Sequence, residues 1–432
     1  MLVNIEGPSC PLRGVAEVPG DKSISHRAAL IAALAPGKSC IDNFSPGRDN
    51  RSTLSCLRRL GVRWRLDTSA GQLVVHGQGR LVEPASVLDC GNSGTTMRLL
   101  AGVLASRPLF AVLTGDGSLR GRPMDRVVRP LEAMGARIWG RAQHALAPLA
   151  IAGTELAGHS HDLPVSSAQV KSCLLLAGLS ARGLTRVREP APSRDHTELM
   201  LAGSGVVLGF SNGWIQLEGG QTPSPVELRV PGDPSAAAFL LAAAAVVPGS
   251  DVTVLRLGLN PTRTGFLEVL RHMGAGISIT NRTSYGREPV GDVRLVHRPL
   301  QAVDIPPETI PSLIDELPVW AVVATQARGV SRVVGARELR FKETDRLKAI
   351  HQLLAGLGAE VEVTADGFAI EGGHALAAAE VASHGDHRMA MAAAVAALCA
   401  RGETTIRDAG CVAVSFPSFF PTLDALRTGA GS

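Results

Sequence analysis

The segment Asp21-Lys22-Ser23-Ile24-Ser25-His26-Arg27 puts a lysine, hydroxyls and an arginine just ahead of an Ala/Leu-rich run. If that run is a helix, its N-terminus carries roughly half a positive charge and unpaired N–H donors. Cations and a hydroxyl added there make an anion site. The pattern recurs. Asn92-Ser93-Gly94-Thr95-Thr96-Met97-Arg98 opens a second apolar run, and Gly94 lets a ligand approach the backbone. Ser166, Ser167, Gln169 and Lys171 open a third. Further cations gather at Arg120-Gly121-Arg122-Pro123, at Arg194-Asp195-His196-Thr197-Glu198, at Asn260-Pro261-Thr262-Arg263 and at Arg340 to Arg346. One such start reads equally well as a simple N-cap. Three of them loaded with cations as well as caps point to a multiply anionic small molecule.

Carboxylates stand among these cations. Glu343 lies between Lys342 and Arg346, where neighbouring charge can tune it for proton transfer. Asp315 and Glu316 precede the apolar stretch Trp320-Ala321-Val322-Val323. Their plainer reading is as helix caps or a solvated charged face.

These residues need elements to aim them, and the sequence repeats one pattern six times. An apolar helix is followed by a β-rich stretch, a polar loop and a second helix that stops near a glycine. The copies span 19–62, 91–136, 166–205, 231–275 and 314–359, with a sixth from 385. First helices such as 28–34 and 236–246 are apolar all round and so should be buried on every side. Second helices such as 346–354 are amphipathic and should cover a sheet. Val18-Pro19-Gly20-Asp21 and Val230-Pro231-Gly232-Asp233 are near-copies, so the six group as three plus three. The expected fold is α/β with two similar lobes. Residues 1–20 with 233–432 would form one lobe and 21–232 the other, with a hinge near 19–21 and 231–233.

Composition fits that plan and excludes others. Aromatic residues are only 3% of the chain, so the cores must be Ala, Leu, Val and Ile with close glycine contacts. A net charge of +4 without a basic arm or stripe argues against a nucleic-acid partner. The seven cysteines are scattered, with no Cys-x-x-Cys, as expected of reduced thiols in a cytoplasmic protein. Residues 1–11 lack a basic-then-apolar leader pattern, and the Ala-rich runs are too short to span a bilayer. Gly37-Lys38-Ser39 lacks the upstream glycine of a P-loop, and Gly115-Asp116-Gly117 lacks the third glycine of a dinucleotide turn. His159/His161 and His384/His387 are pairs without further ligands, so no metal is expected.

Seven ordered motifs together resemble the 5-enolpyruvylshikimate-3-phosphate synthase family. They are Gly-Asp-Lys-Ser (20–23), Asn-Ser-Gly-Thr-Thr-Met-Arg (92–98), Ser-Ala-Gln-Val-Lys (167–171), Arg-Asp-His-Thr-Glu (194–198), Asn-Pro-Thr-Arg (260–263), Lys-Glu-Thr-Asp-Arg (342–346) and Asp-His-Arg-Met-Ala (386–390). Several take the forms of the family's second class. The resemblance implies two lobes, each of three βαβαββ units with buried helices and outer sheets, closing on substrate like a hinge. It implies transfer of the enolpyruvyl group of phosphoenolpyruvate to the 5-hydroxyl of shikimate 3-phosphate, through a tetrahedral intermediate that loses phosphate. No metal or organic cofactor is implied, and the chain is expected to act as a cytoplasmic monomer.

The resemblance, with the chemistry of the side chains, implies shikimate 3-phosphate on Lys22, Ser23, Arg27, Ser167, Ala168, Gln169, Arg194, Asp315 and Lys342. Phosphoenolpyruvate is expected on Lys22, Gly94, Arg122, Gln169, Arg346 and Arg388. Arginine forks suit its carboxylate and phosphate. Asp315 is the expected base, with Glu343 and Lys22 as expected proton donors. The loop Cys411-Val412-Ala413-Val414-Ser415 has no lysine where many members carry one. Gly94 is the small residue associated with binding glyphosate, so sensitivity is expected. The sister UDP-sugar enolpyruvyl transferases resemble this chain in fold but use a cysteine in the loop that is 114–122 here, where none occurs. A non-catalytic anion-binding module on the same scaffold would not need Asp315 and Glu343.

Overall fold

The computed structural model describes residues 1–429. Copies two, three and five each build their sheet from consecutive strands in the order strand–helix–strand–helix–strand–strand, with extra short helices in copies two and five. Their sheets share one order. In the second copy Leu88–Asp89 pairs parallel with Phe110–Thr114, which pairs antiparallel with Leu146–Ala152, and Arg137–Arg141 forms the edge. The parallel step needs a crossover, and the apolar helix Gly94–Ala105 supplies it.

The other copies borrow a strand from far away. Glu227–Arg229 joins the first copy's sheet beside Gly37–Asp42, and Arg13–Ala16 joins the fourth copy's beside Asp251–Gly258. Val3–Gly7 pairs antiparallel with Gly402–Arg407 in the sixth.

The first helices are enclosed. Every residue from Ser235 to Val246 is buried in helix Pro234–Val246, and Leu317–Thr325 is buried throughout. Small residues allow the close packing: a Cβ on Gly102 would lie 2.2 Å from the Cys173 carbonyl oxygen of the neighbouring helix Ala168–Gly178. Strands such as Leu146–Ala152 alternate buried and part-exposed residues, so each sheet shows one face to the helices. The expected α/β plan of βαβαββ units is therefore present.

The second helices stop by a shared device. After helix Arg48–Arg59, Gly61 takes φ +84° and Val62 N–H donates to Leu57 O at 3.0 Å. After Arg346–Gly356, Gly358 takes φ +84° and Ala359 N–H donates to Leu354 O at 2.9 Å. This is a Schellman stop, which needs a residue at positive φ and then an apolar one. It explains why the copies end on Gly-Val or Gly-Ala.

The chain divides into two units. One is Met1–Asp21 with Pro231–Ser284 and Pro289–Ser432; the other is Lys22–Val230 with Tyr285–Glu288. Each has its own apolar core. Inside the first unit, Asp21 N–H donates to Pro231 O at 2.8 Å and Asp233 N–H to Pro19 O at 2.9 Å, so the two Pro-Gly-Asp segments pair. Among the described residues, no helix is long and apolar enough to cross a membrane.

One buried group in the second unit makes stability depend on pH. His161 is 7% exposed, its ring centroid is 4.9 Å from that of His159, and its Nε2 is buried without a partner. Burial, helped by His159, lowers its pKa from 6.5 to about 4. The unfolded chain therefore takes up this proton first. Its contribution is complete above about pH 6.5 and is lost as pH falls towards 4. His161→Gln should flatten that limb of the stability curve in urea titrations at several pH values. An unchanged slope would show that other groups set it.

Candidate active site

In the second unit the expected residues come together at four helix starts. Lys22 opens helix Lys22–Leu34, and its ammonium donates to Asp49 Oδ2 at 3.1 Å. Arg27, one turn on, is 2% exposed. It donates to Ser23 O at 3.0 Å, Thr197 Oγ1 at 2.7 Å and Ser172 Oγ at 2.7 Å, and so ties this helix to Ala168–Gly178 and His196–Gly203. The Ala168 carbonyl accepts from Arg27 Nη2 at 3.4 Å. Arg194 Nη1 donates to Ser23 Oγ at 3.3 Å. Ser167 caps Ala168–Gly178, accepting from Val170 N–H at 3.4 Å.

A second group surrounds Gly94. Ser93 caps helix Gly94–Ala105. Arg98 Nη1 donates to Gln169 Oε1 at 2.7 Å, and Gln169 Nε2 donates to Thr95 Oγ1 at 2.9 Å. Arg122 Nη2 donates to Asn92 Oδ1 at 2.6 Å. A Cβ on Gly94 would lie 2.8 Å from Arg98 Nη1 and 3.5 Å from Arg122 Nη1. Two guanidiniums, an amide and a helix N-terminus thus converge on a residue with no side chain. That is a cradle for a small planar anion. Arg98, which ends the motif 92–98, joins this cradle although its side chain is not among those the resemblance implies for the site. Its spacing of one turn from Gly94 was the available signal.

The first unit holds two of the three expected acid–base residues, Asp315 and Glu343. Asp315 Oδ1 accepts from Lys342 Nζ at 3.1 Å and Arg346 Nη1 at 3.2 Å, and Arg388 Nη2 lies 3.7 Å from Oδ2. Arg388 Nη1 donates to the Asp315 carbonyl at 3.0 Å. Arg346 is 1% exposed and is also bound to Asp386 at 2.8 Å and Glu343 at 2.6 Å. Burial works against its charge, but Asp386, Glu343 and Asp315 outweigh that and raise its pKa. Asp386 caps helix His387–Ala397 by accepting from Arg388 N–H at 2.9 Å, which fixes the start of the arginine's own helix. Glu316 is buried, accepts from Ser235 Oγ and lies 3.5 Å from Arg388 Nη1. The side chain of Glu343 is 16% exposed and that of Asp315 13%, so both are reachable from outside.

Lys171, grouped with the anion-binding residues of the third copy, lies 2.9 Å from Glu189 and 2.8 Å from Glu198. Arg263 is 3% exposed and pairs with Asp21 at 2.6 Å and Asp233 at 3.0 Å, so it braces the paired Pro-Gly-Asp segments. The loop at 411–415 lies in and just after the 3-10 helix Ala409–Val414 and brings no cation of its own.

A protein-family profile described as EPSP synthase (3-phosphoshikimate 1-carboxyvinyltransferase) matches residues 7–423. The 3-phosphoshikimate 1-carboxyvinyltransferase of Gloeobacter violaceus is 51% identical over 422 residues, 97% of this chain and 98% of that one. The protein of that name from Synechococcus sp. is 50% identical over 97% of this chain and 95% of its own. Among solved structures, an EPSP synthase from Acinetobacter baumannii superposes with TM-score 0.86 at 40% identity, covering 98% of both chains. The enolpyruvyl transferase NikO from Streptomyces tendae shares the fold, with TM-score 0.79 at 17% identity over 98% of this chain and 97% of that one.

Proposed function

The chain belongs to the EPSP synthase family, the 3-phosphoshikimate 1-carboxyvinyltransferases, and on that premise we propose how its residues divide the reaction. The enzyme transfers the enolpyruvyl group of phosphoenolpyruvate to the 5-hydroxyl of shikimate 3-phosphate and releases phosphate. The observation that carries the residue assignment is Asp315, a part-exposed carboxylate with Lys342, Arg346 and Arg388 within 3.1–3.7 Å. A carboxylate and three cations in one place serve proton transfer beside developing negative charge.

Shikimate 3-phosphate is assigned to Lys22, Ser23, Arg27, Ser167, Ala168, Gln169 and Arg194 of the second unit, and to Asp315 and Lys342 of the first. Phosphoenolpyruvate is assigned to Lys22, Gly94, Arg122 and Gln169, and to Arg346 and Arg388. Arg98 joins this set through its bond to Gln169. Asp315 takes the proton of the attacking 5-hydroxyl. Glu343 and Lys22 are the candidates to protonate the methylene carbon. The cations stabilise the anionic tetrahedral intermediate; its collapse expels phosphate as the methyl group gives a proton back to the group that delivered it, which re-forms the carbon–carbon double bond.

The chain acts in the cytoplasm as a monomer, with neither nucleic acid nor membrane as partner. The experiment is a partition of KM. Ser167→Ala and Arg194→Ala should raise the KM for shikimate 3-phosphate, and Arg122→Ala should raise that for phosphoenolpyruvate. Equal effects on both substrates from all three would overturn the division.

The cradle around Gly94 yields a sharper expectation. In Gly94→Ala the new Cβ meets Arg98 Nη1 at 2.8 Å, so the Arg98–Gln169 bond must shift. Glyphosate, longer than phosphoenolpyruvate, should lose more affinity than the substrate. Wild-type activity should fall with glyphosate at concentrations comparable to phosphoenolpyruvate. The variant should need about tenfold more inhibitor, equivalent to about 1.4 kcal/mol. An unchanged inhibition constant would remove Gly94 from the phosphoenolpyruvate set.

A further inference from the structure

Two residues of the motifs, Lys171 and Glu198, have no part in the substrate contacts assigned above. Both are buried, at 2% and 4% exposure. The Lys171 ammonium lies 2.9 Å from Glu189 Oε2 and 2.8 Å from Glu198 Oε1, and donates to Ser193 O at 3.3 Å. All of its N–H groups are thereby used. Burial alone would lower its pKa, but the two carboxylates outweigh this and keep it charged.

The other side of Glu189 faces the substrate loops. Its Oε1 accepts from Ser167 N–H at 2.8 Å and from Ser193 Oγ at 2.8 Å. Ser166 Oγ donates to Ala191 O at 2.6 Å and accepts from Ala191 N–H at 3.0 Å. The loop ending at Ser167 is thus laced to the loop ending at Arg194. Arg194 in turn donates to Ser23 Oγ.

Charge decides what this network is for. Glu189 is the acceptor that holds Ser167, yet it puts a negative charge one residue from a helix start that must receive a phosphate. Unscreened, that charge would repel the ligand in a low-dielectric setting. Lys171 offsets it at 2.9 Å, and Glu198, in helix His196–Gly203, shares the same ammonium and fixes where it sits. An apolar cluster would fill the same space but leave Ser167 N–H and Ser193 Oγ without their acceptor.

We propose that Lys171, Glu189 and Glu198 are positioning residues that hold the Ser167 and Arg194 loops in place for the 3-phosphate of shikimate 3-phosphate, with Lys171 offsetting the charge that Glu189 brings. This rests on the assignment of Ser167 and Arg194 to shikimate 3-phosphate.

The test measures kcat and both KM values for Lys171→Met, Glu189→Ala and Lys171→Met/Glu189→Gln, beside Ser167→Ala and Arg194→Ala. Lys171→Met leaves the Glu189 charge bare and should raise the KM for shikimate 3-phosphate about tenfold or more. The KM for phosphoenolpyruvate should stay within about twofold. Adding Glu189→Gln removes the Glu189 charge while keeping an acceptor for Ser167; Glu198, whose pKa burial already raises, then takes up a proton, and the KM should return to within about threefold of wild type. Glu189→Ala loses the acceptor outright and should raise the same KM about tenfold; it carries the test should Lys171→Met not fold. Equal rises in both KM values, an unchanged KM for shikimate 3-phosphate, or no recovery in the double variant would overturn the network's role. If Ser167→Ala and Arg194→Ala also leave that KM unchanged, the assignment to shikimate 3-phosphate itself fails. If they raise it while the Lys171 and Glu189 variants do not, only the network fails.

Discussion

Asp315→Asn should lower kcat for phosphate release by about 10³-fold, inside the 10²–10⁴ that a positioned acid or base contributes. The amide matches the carboxylate in shape, so the Arg388 bond to the Asp315 carbonyl persists and the loop keeps its course. What is lost is the proton acceptor and the charge facing Lys342 and Arg346 at 3.1 and 3.2 Å. Binding of shikimate 3-phosphate, read by calorimetry, should survive to within about tenfold, since the second unit supplies most of its assigned contacts. Glu343→Gln gives the comparison. Glu343 is held by Arg346 at 2.6 Å and is assigned a shared task with Lys22, so its loss should cost less, about 10²-fold. A kcat within about threefold of wild type for Asp315→Asn would remove Asp315 from the chemistry.

The second large effect is on stability as well as rate. In Arg346→Met, Asp386, Glu343 and Asp315 lose the cation they share, and Asp386 is 0% exposed. Removing one partner of a buried ion pair typically costs about 3–5 kcal/mol because the remaining charge is left unpaired. The urea midpoint of the unit that carries it should fall accordingly, and activity should be lost even where the variant is folded. Arg346→Lys should recover only part of either property. A single ammonium cannot reproduce the planar fork that reaches Asp386 through Nε, Asp315 through Nη1 and Glu343 through Nη2. A midpoint equal to wild type would mean that these carboxylates need no cation.

Local signals in the sequence were strong. The apolar helices, the Gly-Val and Gly-Ala stops and the polar helix starts each obey a short-range rule, so the repeated unit could be read directly. The strand partners could not. Glu227–Arg229 completes a sheet whose neighbour begins at Gly37, and Arg13–Ala16 completes one whose neighbour begins at Asp251. Such pairing is set by the closing of whole units, and no window of the chain records it.

The site shows the same division. Gly94 and Gln169 stand in motifs and Arg122 in the cation-rich turn Arg120–Pro123, so all three could be proposed for the site from short-range signals. The task of Lys171 was not, since a cation at a helix start looks alike whether it meets a ligand or a buried carboxylate. Glu189, a lone acid in a loop, gave no signal at all. Arg263 was legible as a motif residue, but its bonds to Asp21 and Asp233 join segments over 200 residues apart in the chain.

The most direct measurement is phosphate release by the purified protein with shikimate 3-phosphate and phosphoenolpyruvate, each omitted in turn. Release should require both and should match the enolpyruvyl product one to one. Phosphate from phosphoenolpyruvate alone at the full rate, or none with both present, would contradict the account.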